Sequence, residues 1–134
     1  MYTKISVLIV SMFLVSCESA VLTTHKEAMN RLEYHYIVHY AHAPGSKKCL
    51  NPKKLRNQWF VLCGINVNKG GSDIYSAGIW EIKEEENGGW AAYAYDIKAA
   101  KSQKLFIDDP QIRPPLQPPN NASATHVREL FIVD

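Results

Sequence analysis

The chain has little that is typical of a catalytic or nucleic-acid-binding protein. It contains three cysteines and no Cys-x-x-Cys pair, so neither a thioredoxin-like redox site nor a zinc knuckle has sequence support. No glycine-rich loop joins a predicted strand to a predicted helix, so phosphate binding is equally unsupported. The formal net charge is only +2 in 134 residues, which gives no strong field toward nucleic acid. These absences predict a protein that is not an enzyme and carries no cofactor.

The longest apolar run lies at the start of the chain and is short. It extends from Ile5 to Val15, follows the positive charge of Lys4, and ends in Leu-Val-Ser-Cys at positions 14–17. At about 1.5 Å per residue, a helix of this length cannot cross a bilayer core of about 30 Å. The run is therefore typical of a secretory signal peptide. Its Leu-Val-Ser-Cys end resembles the lipobox of bacterial lipoproteins, in which the cysteine is lipidated and becomes the new N-terminus.

This resemblance implies the location of the mature protein. It implies a signal peptide over 1–16, lipidation (palmitate among the acyl chains) at Cys17, and a tether over 17–24. Glu18 is not the Asp that marks inner-membrane retention in enteric lipoproteins, so the resemblance implies an anchor in the outer membrane, facing the periplasm. The alternative is an ordinary signal cut after Ser19 or Ala20, which would leave a secreted or periplasmic protein.

Two cysteines remain after the lipidation site. In an exported chain, Cys49 and Cys63 are expected to form a single disulfide bond. Closing a loop of about 15 residues would stabilise the fold by roughly 3 kcal/mol. Two buried free thiols are the alternative.

Residues 25–134 are expected to form one α+β domain, with an N-terminal helix packed on a small antiparallel meander. The helix is predicted over 21–43, since Thr24 and Glu27 form a capping-box pattern and Pro44-Gly45 would end it. Apolar residues share one helical face, namely Ala28, Met29, Leu32, Tyr36, Tyr40 and Ala43. A strand from about Leu32 is the alternative, because alternate residues from Leu32 to Tyr40 are also apolar or aromatic.

Strand patterns and turn signals follow the helix. The predicted strands are Gln58–Asn68, Ile74–Glu84 and Trp90–Lys98, with a possible fourth at Leu105–Asp108 and a terminal strand at Val127–Val133. Residues 110–119 hold five of the seven prolines. Because proline cannot donate to a central ladder, this segment is predicted to be an extended strap.

Three histidines fall close together on the predicted helix. His35, His39 and His42 would lie within about 60° of one another, and a pair at positions i and i+4 can chelate a metal ion. On a strand, His35 and His39 would stand about 13 Å apart and could not share one. The histidines are weak candidates for a metal site, and a solvated flank is the simpler interpretation.

Aromatic and basic residues are the main candidates for recognition. Trp59, Trp80 and Trp90 lie one on each predicted strand, and more large rings are present than one sheet face under one helix can bury. Exposed rings are typical recognition anchors. Lys53 and Lys54 belong to a basic cluster before Trp59, so these five residues are predicted to contact a partner. The alternatives are a tryptophan core and a solvated basic loop, or a loop facing anionic lipid.

The predicted function is non-enzymatic protein binding at the envelope. Small lipoproteins commonly serve envelope-spanning machines, so the expected role is an accessory subunit of a secretion, conjugation or pilus apparatus. The partners are one or more envelope proteins and, through the lipid, the membrane; nucleic acid is not expected. One alternative is an immunity or inhibitor protein that blocks a periplasmic toxin or lysozyme. Another is a metal- or ligand-binding carrier.

Overall fold

The computed structural model describes residues 24–67 and 72–132. In chain order the elements are helix α1 (24–39), strands β1 (Lys47–Cys49), β2 (Lys53–Leu55) and β3 (Gln58–Ile65), a 3-10 helix (Ser72–Ser76), strands β4 (Gly78–Glu84) and β5 (Trp90–Ala94), helix α2 (Ile97–Leu105), strand β6 (Ile112–Arg113) and helix α3 (Asn121–Glu129). The predicted α+β class, with a helix packed on a largely antiparallel sheet and one disulfide, is confirmed.

The described strands form one mixed sheet in the order β1-β3-β4-β5-β6. Strands β1 and β2 pair with opposite halves of the same edge of β3, so the predicted basic loop instead contains two short strands. The pairs β3–β4 and β4–β5 are antiparallel, as a meander requires, whereas β6 runs parallel to β5.

Helix α1 packs on the first sheet face. Ala28, Leu32 and Tyr36 recur every four residues and are buried against side chains of β3, β4 and β5. This spacing places them on one helical face, whereas on a strand alternate residues would share a face. The helix interpretation of this segment is therefore correct, and the strand alternative from Leu32 is wrong.

Helix α2 lies beside α1 on the same face. The Asp96 side chain accepts the Ala99 N–H at 2.8 Å and so caps the helix. For this reason β5 stops at Ala94, and the prediction that it reaches Lys98 is wrong. Residues 105–108, considered for a fourth strand, instead form the end of α2 and a turn, because Phe106 turns inward among the rings of α1.

Helix α3 covers part of the second sheet face. Asn120 caps its start, while Val127 and Phe131 are buried against Phe60 and neighbouring side chains of that face. Over its described part, residues 127–132, the predicted terminal strand is wrong, because these two apolar residues are spaced for a helical turn. Arg128 secures the helix through its guanidinium, which donates to the Ala77 carbonyl at 2.8 Å and the Asp96 carboxylate at 2.6 Å.

The proline-rich strap follows the edge of the sheet. Most of it is irregular, as predicted, but Ile112 and Arg113 between the prolines pair with β5. The predicted exclusion of proline from a central ladder is satisfied, because β6 is an edge strand and only these two residues join it.

The predicted disulfide is present. Cys49 and Cys63 stand opposite each other in the β1–β3 ladder, with their Cα atoms 4.1 Å apart. Both cysteines are buried beneath α1, so the bond fixes the edge strand β1 to the main sheet.

Candidate binding groove

Helix α3 leaves part of the second sheet face uncovered, and a groove runs across it. Two adjoining cavities of about 400 and 670 Å³ share Gln58, Tyr95 and Ser123 in their walls. We call this combined depression the α3 groove.

Three elements form the walls of the α3 groove. The smaller cavity lies between the sheet and the end of the strap, where Leu116 and Pro118 line it. The larger cavity lies between α3 and the β2–β3 turn, where Arg56 and His126 line opposite sides. Leu116 is 54% exposed, so an apolar side chain of the strap stands at the groove and is available for contact.

A buried carboxylate lines the smaller cavity. The Glu81 side chain is 8% exposed, and its Oε2 accepts a hydrogen bond from Gln58 Nε2 at 3.0 Å. Lys83 Nζ lies 3.9 Å from the same oxygen, which is beyond a hydrogen bond. Glu81 is in this position because β4 alternates, with Trp80 and Ile82 facing α1 and Glu81 facing the α3 side.

Two tyrosines stand beside Glu81. Tyr93 is its direct cross-strand partner on β5, and Tyr95 follows on the same face. The Tyr93 hydroxyl accepts a hydrogen bond of 2.9 Å from Arg113, whose guanidinium also pairs with Glu85. The hydrogen bond to Tyr93 and the neighbouring Glu85 charge raise the pKa of Arg113.

A second recess lies between α1 and α2 on the first face. Tyr36, Tyr40 and Ser102 line this cavity of about 310 Å³, and the Tyr40 hydroxyl lies 2.8 Å from Ser102 Oγ. Burial raises the pKa of Tyr36 well above its ordinary value. Tyr36 therefore stays neutral and also accepts a hydrogen bond from Trp80 at 3.1 Å. These hydroxyls hold the two helices together beneath the surface.

Trp80 and Trp90 do not lie where a recognition surface needs them. Trp80 is fully buried and Trp90 is 7% exposed, both on the face that α1 and α2 cover. Their predicted role as partner contacts is wrong. The reason is that two helices, not one, share this face, and Phe106 adds a further ring over Trp80.

The other predicted contact residues lie at the β2–β3 edge. Trp59 is half-buried and packs its ring 4.5 Å from that of His25. Lys54 Nζ lies 5.9 Å from the centre of the Trp59 ring, within range of a cation–π interaction. Lys53 pairs with Phe60 in the ladder and is half-buried. A partner role for Trp59, Lys53 and Lys54 stays a prediction.

His35 and His39 serve packing, and His35 also hydrogen-bonds Asp109. His35 Nε2 lies 2.7 Å from Asp109 Oδ2, and the rings of His35, His39 and Phe106 pack against one another. His42 is exposed in the turn after α1. Within the described ranges, no group of three or more His, Cys, Asp or Glu side chains is arranged to hold a metal ion.

Asp109 is the centre of a buried charge cluster. Arg31 Nε donates to its Oδ2 at 2.6 Å, and the Gln111 N–H donates to Oδ1 at 3.0 Å. Burial opposes ionisation, but the hydrogen bonds from Arg31, His35 and Gln111 outweigh it and lower the pKa of Asp109. The cluster ties α1 to the turn after α2, which is a structural task.

The sequence patterns do not predict a role for the groove-lining residues Glu81, Leu116 and Ser123. Strand alternation in β4 was a usable signal, because a carboxylate between Trp80 and Ile82 must face away from their core. The predicted terminal strand obscured this signal, since only a helix at 121–129 builds the opposite wall.

Comparisons with protein-family models, curated proteins and solved structures found no match to this chain. Cys17 and the predicted signal peptide lie outside the described residues. Among the described residues, no helix combines the length and apolar character needed to cross a membrane.

Proposed function

We propose that this protein is a non-enzymatic lipoprotein of the cell envelope that binds another protein through the α3 groove. The observation that carries the proposal is the groove itself. It combines apolar and aromatic side chains such as Leu116 and Tyr95 with polar groups such as Gln58 and Ser123. Mixed surfaces of this kind, with rings beside hydrogen-bonding groups, are typical of protein interfaces.

The charged clusters elsewhere support binding over catalysis. Asp96 caps α2 and pairs with Arg128, and Asp109 pairs with Arg31 and His35. These carboxylates are already engaged in holding helices to the sheet. A general acid or base needs freedom to exchange a proton with a substrate.

The lipobox-like sequence supports the proposed location. A lipid on Cys17 would hold the domain on the outer membrane within a short tether of the bilayer, facing the periplasm. Several acyl chains make such an anchor effectively permanent. An accessory subunit of a secretion, conjugation or pilus apparatus requires this placement.

The anchor is tested by replacing Cys17 with serine. Metabolic labelling with a fatty acid should mark the wild-type protein, and Cys17→Ser should lose the label and leave the membrane fraction. Labelling of the variant to the wild-type level would contradict the lipoprotein assignment.

The binding role is tested with two variants of α3. Ser123 lines both cavities, so Ser123→Trp should fill the groove and abolish co-purification of a stoichiometric envelope partner with the full-length protein. Thr125 is exposed on the same helix and lines neither cavity, so Thr125→Trp should retain the partner. Equal retention by both folded variants would contradict a groove-mediated role. An apparatus subunit as partner would support the proposed role, whereas a toxin or lysozyme would replace it with inhibition.

A further inference from the structure

We infer that Glu81 receives a cationic side chain, an arginine, from the bound partner. This inference rests on the proposed function, because it names the chemistry that the α3 groove recognises. It begins from a carboxylate that the fold buries without a full countercharge.

The groups around Glu81 compensate its buried charge only in part. Burying a carboxylate is costly unless charge and hydrogen bonds compensate it. Gln58 offers a neutral hydrogen bond, and Lys83 stands 3.9 Å away with its side chain 47% exposed. Lys83 therefore weakly offsets the charge and remains free to swing into solvent.

The neighbouring arginine is not available to Glu81. Arg113 lies further along the same row, but its guanidinium is held by the Tyr93 hydroxyl and by Glu85. The Glu81 carboxylate, the Tyr93 ring and the Arg113 guanidinium therefore lie in one row across the sheet, and Arg113 is two strands away from Glu81. A second guanidinium could reach Glu81 from the open side of the cavity.

The cavity suits the shape of an arginine. Its volume of about 400 Å³ opens beside Tyr95, whose ring can stack on a guanidinium plane, while the Tyr93 ring already has Arg113 over it, 5.6 Å from its centre. Leu116 and Pro118 supply apolar surface for the aliphatic stem. A planar fork can also form two parallel hydrogen bonds with the carboxylate, which a lysine cannot.

The same geometry predicts which side chains of a partner the cavity beside Glu81 would not bind. An acidic side chain in the cavity would meet Glu81 across a short, poorly solvated distance, and like charges in that setting repel strongly. A neutral side chain of equal size would leave the Glu81 carboxylate without added charge compensation. Specificity for a basic side chain follows from both effects.

The inference is tested by NMR titration of the full-length protein in detergent micelles. The probe is the peptide acetyl-Gly-Arg-Gly-amide, and the matched control is its citrulline analogue, which is nearly the same shape but neutral. The arginine peptide should shift amide signals of groove residues such as Ala94 and Ser123, and the citrulline peptide should bind at least about tenfold more weakly. Equal shifts with both peptides, or no shift at the groove with either, would overturn the inference.

Three variants distinguish a specific effect of Glu81 on peptide affinity from a general effect of surface charge. Glu81→Gln should lower the affinity for the arginine peptide about tenfold. Glu84 is an exposed carboxylate on the same strand outside the groove, so Glu84→Gln should leave this affinity unchanged. Lys83→Met removes the competing cation and should tighten binding severalfold. This last variant retains Glu81, so it tests the inference even if Glu81→Gln fails to fold. Unchanged affinity in Lys83→Met together with a response to Glu84→Gln would overturn it.

Failure of this inference differs from failure of the proposed function. If Ser123→Trp blocks the envelope partner while arginine and citrulline peptides behave alike, the groove binds protein but does not select a cation. If Ser123→Trp leaves the partner bound, the groove is not the binding surface, and the inference about Glu81 falls with it.

Discussion

The two faces of the sheet are covered to different extents. On the first face, α1 and α2 lie side by side over Trp80 and Trp90, and Phe106 fills the space between them. On the second face, α3 covers one part, and the remainder opens as the α3 groove. Both faces contribute a buried core, but the first is the more fully covered, and we propose that the uncovered part of the second face binds the partner.

The difference follows from which side chains each face presents. The closed face presents large apolar groups, and its polar atoms are matched within the protein, as when Trp80 donates to Tyr36. The open face presents Gln58, Glu81 and Tyr93 among its apolar residues, and a helix laid over them would have to satisfy each polar group. In a small domain, polar residues on a sheet face therefore mark the side that remains available.

The largest effect is expected from removing a ring of the closed face. Trp80→Ala would lose a fully buried indole and leave the Tyr36 hydroxyl without its donor, so the free energy of unfolding should fall by about 4 kcal/mol. Leu116→Ala, in the groove, should change it by less than about 0.5 kcal/mol. Urea denaturation measures both, and equal losses would contradict the division between the faces.

The disulfide should contribute the next largest effect, also on the closed face. Replacing both Cys49 and Cys63 with alanine opens a loop of about 15 residues and should lower the free energy of unfolding by about 3 kcal/mol. Denaturation with and without reductant checks this, because reductant should destabilise the wild type and leave the double variant unchanged. A wild type indifferent to reductant would show that the bond does not constrain the unfolded chain.

The stability that the Asp109 cluster contributes to the closed face should depend on pH. Asp109→Asn should cost about 2 kcal/mol, because Arg31 and His35 lose their charged partner. The pKa of Asp109 is lowered in the folded protein, so this stability is fully present above the ordinary carboxyl pKa of about 4 and is lost as the pH falls through the folded pKa.

The measurement is the difference in unfolding free energy between wild type and variant across pH. It should shrink as the pH falls below about 4. The exposed neighbour Asp108 provides the control, since Asp108→Asn should show little difference at any pH. A difference that grows in acid would contradict the assigned sign.

Much of the fold could be predicted from local pattern. The repeat of apolar residues at 28, 32 and 36 predicted α1, and turn residues around Gly88 separated β4 from β5. The disulfide followed from compartment and cysteine number. The helix and turn signals depend on residues that are close in sequence, and the disulfide prediction requires no knowledge of the three-dimensional fold.

The remainder depends on tertiary contacts that local pattern does not contain. The residues from Val127 to Val133 have high strand propensity. Nevertheless, Asn120 caps a helix that includes Val127, and Arg128 of this helix donates a hydrogen bond to Asp96, which is distant in sequence. Because α3 forms one wall of the groove, a strand over this segment does not predict the groove. Burial of Trp80 likewise depends on a second helix, α2, which the sequence pattern does not predict.

Site-specific photo-crosslinking in cells tests most directly whether the open face is the binding surface. A photoreactive residue at Leu116, 54% exposed in the groove, is compared with one at Ile107, 69% exposed beyond the end of α2. Because the two sites are similarly accessible, exposure alone cannot distinguish them. Our account predicts a discrete crosslinked partner from Leu116 that is absent from Ile107 and abolished by Ser123→Trp. A partner crosslinked from Ile107 and not from Leu116 would place recognition on the helical layer and contradict the account.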